Sequence, residues 1–219
     1  MKPSYLTLIA SVAFLSAAGA FALAQQDKEH EHKKEEGKQE ARKLPDCPVM
    51  GDTVNLAVRT ETDSGPVYFC CDHCIGKYQK DPKKYEKEVK EQREILHKLP
   101  AVQTTCPISG KPVDAEVSIE EGGHKVFFCC KKCPETYKKE PAKYSGKLAA
   151  GFTYQTKCPV SGEEIDPAVS TKTADGHVVY FCCGKCVEKF EADPEKYGPK
   201  LEEQGYKLKL KKKAEEKKK

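Results

Sequence analysis

Twelve cysteines fall into three sets of four, each with the form Cys-Pro-x-x-Gly, a gap, then Cys-Cys-x-x-Cys. The sets are Cys47, Cys70, Cys71 and Cys74; Cys106, Cys129, Cys130 and Cys133; and Cys158, Cys182, Cys183 and Cys186. The first two gaps are equal, the third is one residue longer, and no cysteine stands outside the scheme. Thiols scattered by chance do not repeat in register, so one small thiol-bearing unit is present three times.

Aligning the copies on their cysteines exposes the rest of the unit. After Cys-Pro-(Val or Ile)-x-Gly comes a strand-like stretch, Thr53 to Thr62, Ala115 to Glu120 or Ala168 to Thr173. Turn residues follow (Asp63-Ser64-Gly65, Gly122-Gly123, Asp175-Gly176), then a return strand, Val67 to Phe69, Val126 to Phe128 or Val179 to Phe181. Two β-rich runs around a glycine-containing turn predict a hairpin, and the cysteine pair leaves directly from its second strand. Beyond the last cysteine the pattern turns helical. Tyr78, Tyr137 and Phe190 stand four positions on, one turn away on the same helix face. Asp81-Pro82 and Asp193-Pro194 read as an N-cap with proline in the first turn, so a second helix starts there. That helix is expected to be longest in the first copy, to about Leu99, and to be cut short by Ser145-Gly146 in the second.

Units of about 45 residues bury too little apolar surface to stand on a core alone. The recurring aromatics read as that modest core, and the thiols as what completes it, either as metal ligands or as disulfides. For ligation, a bent Cys-Pro-x-x-Gly loop turns backbone N–H groups toward its sulfur, and a helix start favours a thiolate. Cys70 and Cys74, four apart, share a face, and Cys47 makes a third converging sulfur; Cys71 is either a fourth or faces elsewhere. A knuckle, a hairpin and a ligand-bearing helix make a treble-clef-like arrangement. The disulfide alternative fits an exported chain with four cysteines per unit. Against it, adjacent cysteines pair only under strain. A third alternative is thiol redox chemistry at Cys71/Cys74, Cys130/Cys133 and Cys183/Cys186, each a Cys-x-x-Cys at a helix start.

The third copy runs from Cys158-Pro159-Val160-Ser161-Gly162 through Tyr180-Phe181-Cys182-Cys183-Gly184-Lys185-Cys186 to Phe190 and Asp193-Pro194-Glu195-Lys196-Tyr197. It resembles the YHS/TRASH superfamily of treble-clef-like modules associated with heavy-metal sensing, trafficking and resistance, and the resemblance extends from Cys47 to Tyr197. It implies metal binding through the first cysteine and the Cys-x-x-x-Cys pair of each copy. The chain departs from that pattern at two places. Where many members carry a cysteine before the knuckle glycine it has Met50, Ser109 or Ser161, and Cys71, Cys130 and Cys183 are additional thiols. Zinc takes four ligands in a tetrahedron, whereas Cu(I) accepts fewer soft sulfurs, so Zn2+ and Cu+ both stay open. Met50 is a further thioether candidate. His124 and His177 at the hairpin turns, His73 beside the first site and His97 are weak ligand candidates.

The ends set the compartment. Lys2, an apolar run from Tyr5 to Ala22 and Ala22-Leu23-Ala24 describe a signal peptide (1–24), so the protein is expected in a periplasm or outside the cell. The rival is a retained membrane anchor. Residues 25–43 are charged, contain His30 and His32, and read as a disordered leader. Modules are expected at 44–99, 103–150 and 154–205. A basic tail, 206–219, reads as a solubilising frayed end or a contact for an anionic surface. Acids and bases, 34 against 38, are interleaved, which describes a solvated surface and no nucleic-acid face. No acid/base pair, nucleophile triad or phosphate loop is present, so an enzyme is not expected. The α+β chain is expected to bind metal ions as buffer, scavenger or chaperone, with a metal-transport or metal-dependent protein as its possible partner and no membrane span after signal cleavage.

Overall fold

The computed structural model describes residues 42–211. The signal segment, the leader as far as residue 41 with His30 and His32, and the tail from residue 212 lie outside the described residues. Module 1 contains β1 (Asn55–Thr62), β2 (Gly65–Phe69), α1 (Asp72–Lys80), a 3-10 turn at Pro82–Tyr85 and α2 (Glu86–Leu96). Module 2 contains β3 (Val102–Gln103), β4 (Asp114–Glu121), β5 (His124–Phe128), α3 (Cys133–Lys139) and α4 (Pro141–Ala150). Module 3 contains β6 (Phe152–Thr153), β7 (Asp166–Lys172), β8 (Val178–Phe181), α5 (Gly184–Ala192), a 3-10 turn at Pro194–Tyr197 and α6 (Gly198–Glu202). Helices and small antiparallel sheets make an α+β fold, and the three expected hairpins are β1–β2, β4–β5 and β7–β8.

Each hairpin bends at the same place. The register slips between Asn55 and Arg59, Asp114 and Ser118, and Asp166 and Ser170. Side-chain oxygens of Asn55, Asp114 and Asp166 accept the N–H two residues on, at 3.1, 3.0 and 2.9 Å. An Asx side chain thus occupies a donor at the start of the bulge, where the ladder is interrupted. The bend sets the return strand so that its last residue, Phe69, Phe128 or Phe181, is wholly buried.

That phenylalanine begins an aromatic trio repeated in every module. Phe69–Tyr78–Tyr85 stack with centroids 5.4 and 6.2 Å apart, Phe128–Tyr137–Tyr144 at 5.5 and 6.1 Å, and Phe181–Phe190–Tyr197 at 5.2 and 6.2 Å. Edge and tilted contacts of this kind add about 0.5–1.5 kcal/mol each beyond the area they bury. The third ring of each trio carries the preceding lysine over its face at 5.7–5.9 Å, which gives the Lys-Tyr pairs a packing role.

Three expectations change. Asp81 makes no side-chain cap bond; its backbone at φ −150° simply breaks the chain between α1 and the 3-10 turn. Glu140 takes nearly the same backbone in module 2, so the break depends on the following proline more than on an aspartate. Second, Ser145-Gly146 does not shorten the second helix of module 2, since α4 runs through it to Ala150. A Cβ on Gly146 would lie 2.4 Å from the Asp63 carbonyl oxygen, so the glycine permits α4 to touch the hairpin turn of module 1. Third, residues 206–211 are not a frayed end. Leu208 and Leu210 pack on the core of module 3 while Lys207, Lys209 and Lys211 face solvent, the alternation of an extended segment with one covered face.

The modules are joined by specific contacts within one compact unit. β3 of module 2 pairs with β6 of module 3. The segment after α6 crosses to module 1, where Asn55 donates to Lys207 O at 2.8 Å and accepts from Lys207 N at 3.0 Å. Tyr206 places its hydroxyl on the N–H groups of Tyr154 and Gln155, at 3.0 and 3.1 Å. Arg42 donates to the Tyr154 carbonyl, and Tyr68 meets Tyr154 edge-on at 5.8 Å. Each module therefore touches both others.

Candidate metal centres

Each centre begins with the knuckle. Gly51, Gly110 and Gly162 sit at φ +77°, +70° and +80°, a left-handed conformation that glycine adopts without strain. Their N–H groups donate to the carbonyl of Cys47, Cys106 or Cys158 at 2.8 Å. The knuckle cysteine N–H in turn closes the loop on Asp52 O, Lys111 O or Glu163 O, at 2.7, 2.8 and 2.7 Å. The first sulfur is thereby fixed beneath the loop. The other thiols arrive on the strand-to-helix corner, with Cys71 and Cys183 as N-caps of α1 and α5.

Three sulfurs per module converge. Those of Cys47, Cys70 and Cys74 all lie within 4.8 Å of one another, as do those of Cys106, Cys129 and Cys133 and those of Cys158, Cys182 and Cys186. The first and last cysteine of each trio are buried and the middle one is half-buried. Cys71, Cys130 and Cys183 are exposed and stand outside the mutually close trios, yet their sulfurs are 3.7, 3.5 and 3.8 Å from Cys74, Cys133 and Cys186. The described histidines belong to none of these clusters, and Met50 is largely exposed, its sulfur 4.0 Å from Lys77 Nζ.

These spacings test whether a metal fits. Sulfurs bound to one zinc at about 2.3 Å in a tetrahedron lie about 3.8 Å apart. The spacings of Cys70–Cys74, Cys129–Cys133 and Cys182–Cys186 are 3.6, 3.7 and 3.6 Å. A disulfide would need about 2.05 Å, and all twelve cysteines are free thiols. An all-sulfur donor set at this separation fits a soft or borderline ion.

The protonation landscape is uneven inside each trio. Burial opposes ionisation of Cys106, but the N–H groups of Cys129, Ser109 and Ile108 and the Ser109 hydroxyl outweigh it and hold the thiol down to about 7. Cys158 is likewise held down to about 7, its burial outweighed by the hydroxyl and N–H of Ser161 and the N–H groups of Cys182 and Val160. Cys47 is lowered too, burial again yielding to the N–H groups of Cys70, Val49 and Met50. At the bottom of the site, burial and neighbouring sulfurs push Cys74 and Cys133 far up, and Cys186 up to about 12. Ionisation is thus eased at the knuckle and opposed at the deepest thiol, where a bound cation would offset the cost.

One set of residues was noted in the sequence without a role, and a second was missed. Ser109 Oγ is 3.1 Å from Cys129 Sγ and Ser161 Oγ is 3.2 Å from Cys182 Sγ, so the knuckle position before the glycine faces the thiols. The missed set is a buried glutamine in each module. Gln103 donates to Thr105 O and Phe127 O at 3.1 and 2.8 Å and accepts from Phe127 N at 2.8 Å. Gln155 does the same with Lys157 O, Tyr180 O and Tyr180 N, at 3.2, 2.7 and 3.0 Å. In module 1 Gln92 serves Asp46 O, Tyr68 O and Tyr68 N at 3.3, 2.9 and 3.0 Å. Each amide ties the residue before the knuckle cysteine to the strand that delivers the cysteine pair. The signal was present in Gln103-Thr104-Thr105-Cys106 and Gln155-Thr156-Lys157-Cys158. The first copy hides it, with Leu44 in the equivalent place and the glutamine supplied from α2.

Three cysteine clusters that could hold metal ions are therefore built by one repeated design. No family model matches the chain, and no curated protein or solved structure matches it either.

Proposed function

We propose that the chain is an exported metal-binding protein that takes one soft or borderline ion, Zn2+ or Cu+, in each treble-clef-like module. The likeness to YHS/TRASH modules supports this reading through the residues that carry it. The single observation beneath it is the threefold recurrence of three converging sulfurs, two buried and one half-buried, with no covalent partner. Cys47, Cys70 and Cys74 hold the ion in module 1, Cys106, Cys129 and Cys133 in module 2, and Cys158, Cys182 and Cys186 in module 3. The metal is cargo and structural member together: it neutralises thiolates that the fold crowds, and it completes cores too small to stand alone. Three like sites suit capacity, as a buffer, scavenger or chaperone delivering to a metal-transport or metal-dependent protein, and they require no catalytic step. Among the described residues no helix is long and apolar enough to cross a membrane.

The test counts metals and thiols together in protein taken from its native compartment. About three ions per chain, with thiols recovered after chelation, is the expected result. Disulfides throughout, with no metal and unfolding on reduction, would replace this reading with the stapled module. A mixed disulfide trapped at one Cys-x-x-Cys would replace it with redox chemistry.

A further inference from the structure

We propose that Cys71, Cys130 and Cys183 are exchange ligands, the thiols through which an ion enters and leaves the three-sulfur pocket, and not permanent members of the site. This rests on the metal-binding reading above. The argument begins with access. In each trio the knuckle cysteine and the deepest cysteine are almost sealed, at 2% and 0% exposure in module 1, 1% and 7% in module 2, and 2% and 6% in module 3. An ion held there cannot be reached by an outside ligand from below or from the knuckle side. The exposed thiols lie at the remaining side. Their sulfurs are 3.7, 3.5 and 3.8 Å from the deepest sulfur, and in modules 1 and 3 they lie 3.9 and 3.8 Å from the half-buried one. These are separations at which two thiolates can share one ion, so the fourth sulfur borders an edge of the trio while its other side meets solvent.

Geometry of this kind favours associative exchange. An ion between thiolates leaves most readily when an incoming ligand binds before an old one departs. A tethered thiolate on the same corner is present at an effective concentration of about millimolar or above, which no free thiol in dilute solution matches. The ion shifts outward by gaining Cys71, Cys130 or Cys183 and releasing the knuckle sulfur, and an acceptor's ligand then meets it at the surface. The step is ligand substitution. No electron moves: one sulfur–metal bond forms as another breaks, and the proton lost by the incoming thiol passes to the released sulfur or to solvent water. The same arrangement in three modules, with different residues between the cysteines (Asp72-His73, Lys131-Lys132, Gly184-Lys185), shows that the placement belongs to the corner and not to its side-chain neighbours.

The test compares the full chain with the C71S/C130S/C183S variant, each loaded with Zn2+ and, separately, Cu+. Two quantities are measured: equilibrium affinity by competition, and the rate of transfer to a chromophoric chelator. The expected result is three ions bound with affinity within about 3-fold of the parent and transfer slowed by about 10-fold or more. Single variants should each slow one third of the transferred metal, giving two phases. Transfer at the parent rate overturns the proposal. So does an affinity loss beyond about 30-fold, which would make these thiols permanent ligands. If the parent retains neither ion, the metal-binding reading fails and the exchange role with it, a result distinct from the other two. Because the three side chains are exposed, their replacement removes no core packing. Retention of the tyrosine near-UV signal in the loaded variant checks that the fold persists.

Discussion

In module 1 every residue of β2 is buried, because α2 and α4 both close on it; in module 2 the matching strand β5 leaves His124 and Lys125 exposed. The core of module 1 joins ten buried residues and that of module 2 five, yet in both the three sulfurs lie within 4.8 Å of one another, with Cys70–Cys74 at 3.6 Å and Cys129–Cys133 at 3.7 Å. The centre is therefore specified by local parts: a knuckle, a bulged hairpin, a helix corner and one buried glutamine. The surroundings set only how far each module depends on its ion. Module 2, whose own buried core is half the size of that of module 1, is expected to be the module most in need of a metal.

The largest expected effect follows directly. Removing metal with a chelator should lower hydrogen-exchange protection across β4, β5 and α3 by more than about 100-fold, and across β1 and β2 by less than about 10-fold. Equal losses in both modules would break the comparison. Next come the glutamines. Replacing Gln103 or Gln92 by leucine strands buried backbone groups of both the knuckle and the return strand, and should destabilise the protein by about 2–4 kcal/mol in denaturant unfolding. The same loss from residues on unrelated parts of the chain would confirm that module 1 obtains by α2 what module 2 obtains from its leading strand. A smaller effect is expected for Gly146→Ala. Alanine is the better helix former by about 1 kcal/mol, but its Cβ meets the Asp63 carbonyl at 2.4 Å, so thermal stability should fall, by about 1–3 kcal/mol. A rise would show that α4 does not dock on module 1 as described.

The smallest effect concerns pH. Ligation needs thiolates, so affinity declines on acidification. The knuckle thiols of modules 2 and 3 are held down to about 7 with help from Ser109 and Ser161, so their metal affinity, already declining through proton competition at the deepest thiols, should fall more steeply as the pH drops through that value. Module 1 has Met50 in place of that hydroxyl. Ser109→Ala and Ser161→Ala should move the release midpoint to higher pH by less than about one unit, read by metal-release titration. No shift would mean that the knuckle N–H groups alone set the first thiolate.

Repetition made the hairpins, the aromatic positions and the convergence of Cys47, Cys70 and Cys74 legible, since each rests on local spacing seen three times. What was not legible depends on contacts between copies. Gly146 looks like a helix stop until Asp63 of another module lies against it. The Lys-Leu alternation after Tyr206 reads as a charged tail until module 3 covers the leucines. Gln92 could not be matched to Gln103 and Gln155 because an amide can reach one pair of backbone groups from either side. The exposure of Cys71, Cys130 and Cys183 was equally hidden, because spacing places a residue at a helix start without saying which way its side chain leaves it.

The central claim is that each module closes a sulfur pocket around one ion. X-ray absorption at the metal edge, on chain loaded to saturation with Zn2+ or Cu+, measures that pocket directly. The account predicts three ions per chain and a first shell of sulfur at about 2.3 Å, with at least three sulfurs per ion. A shell dominated by nitrogen or oxygen, or fewer than three ions per chain, would contradict it.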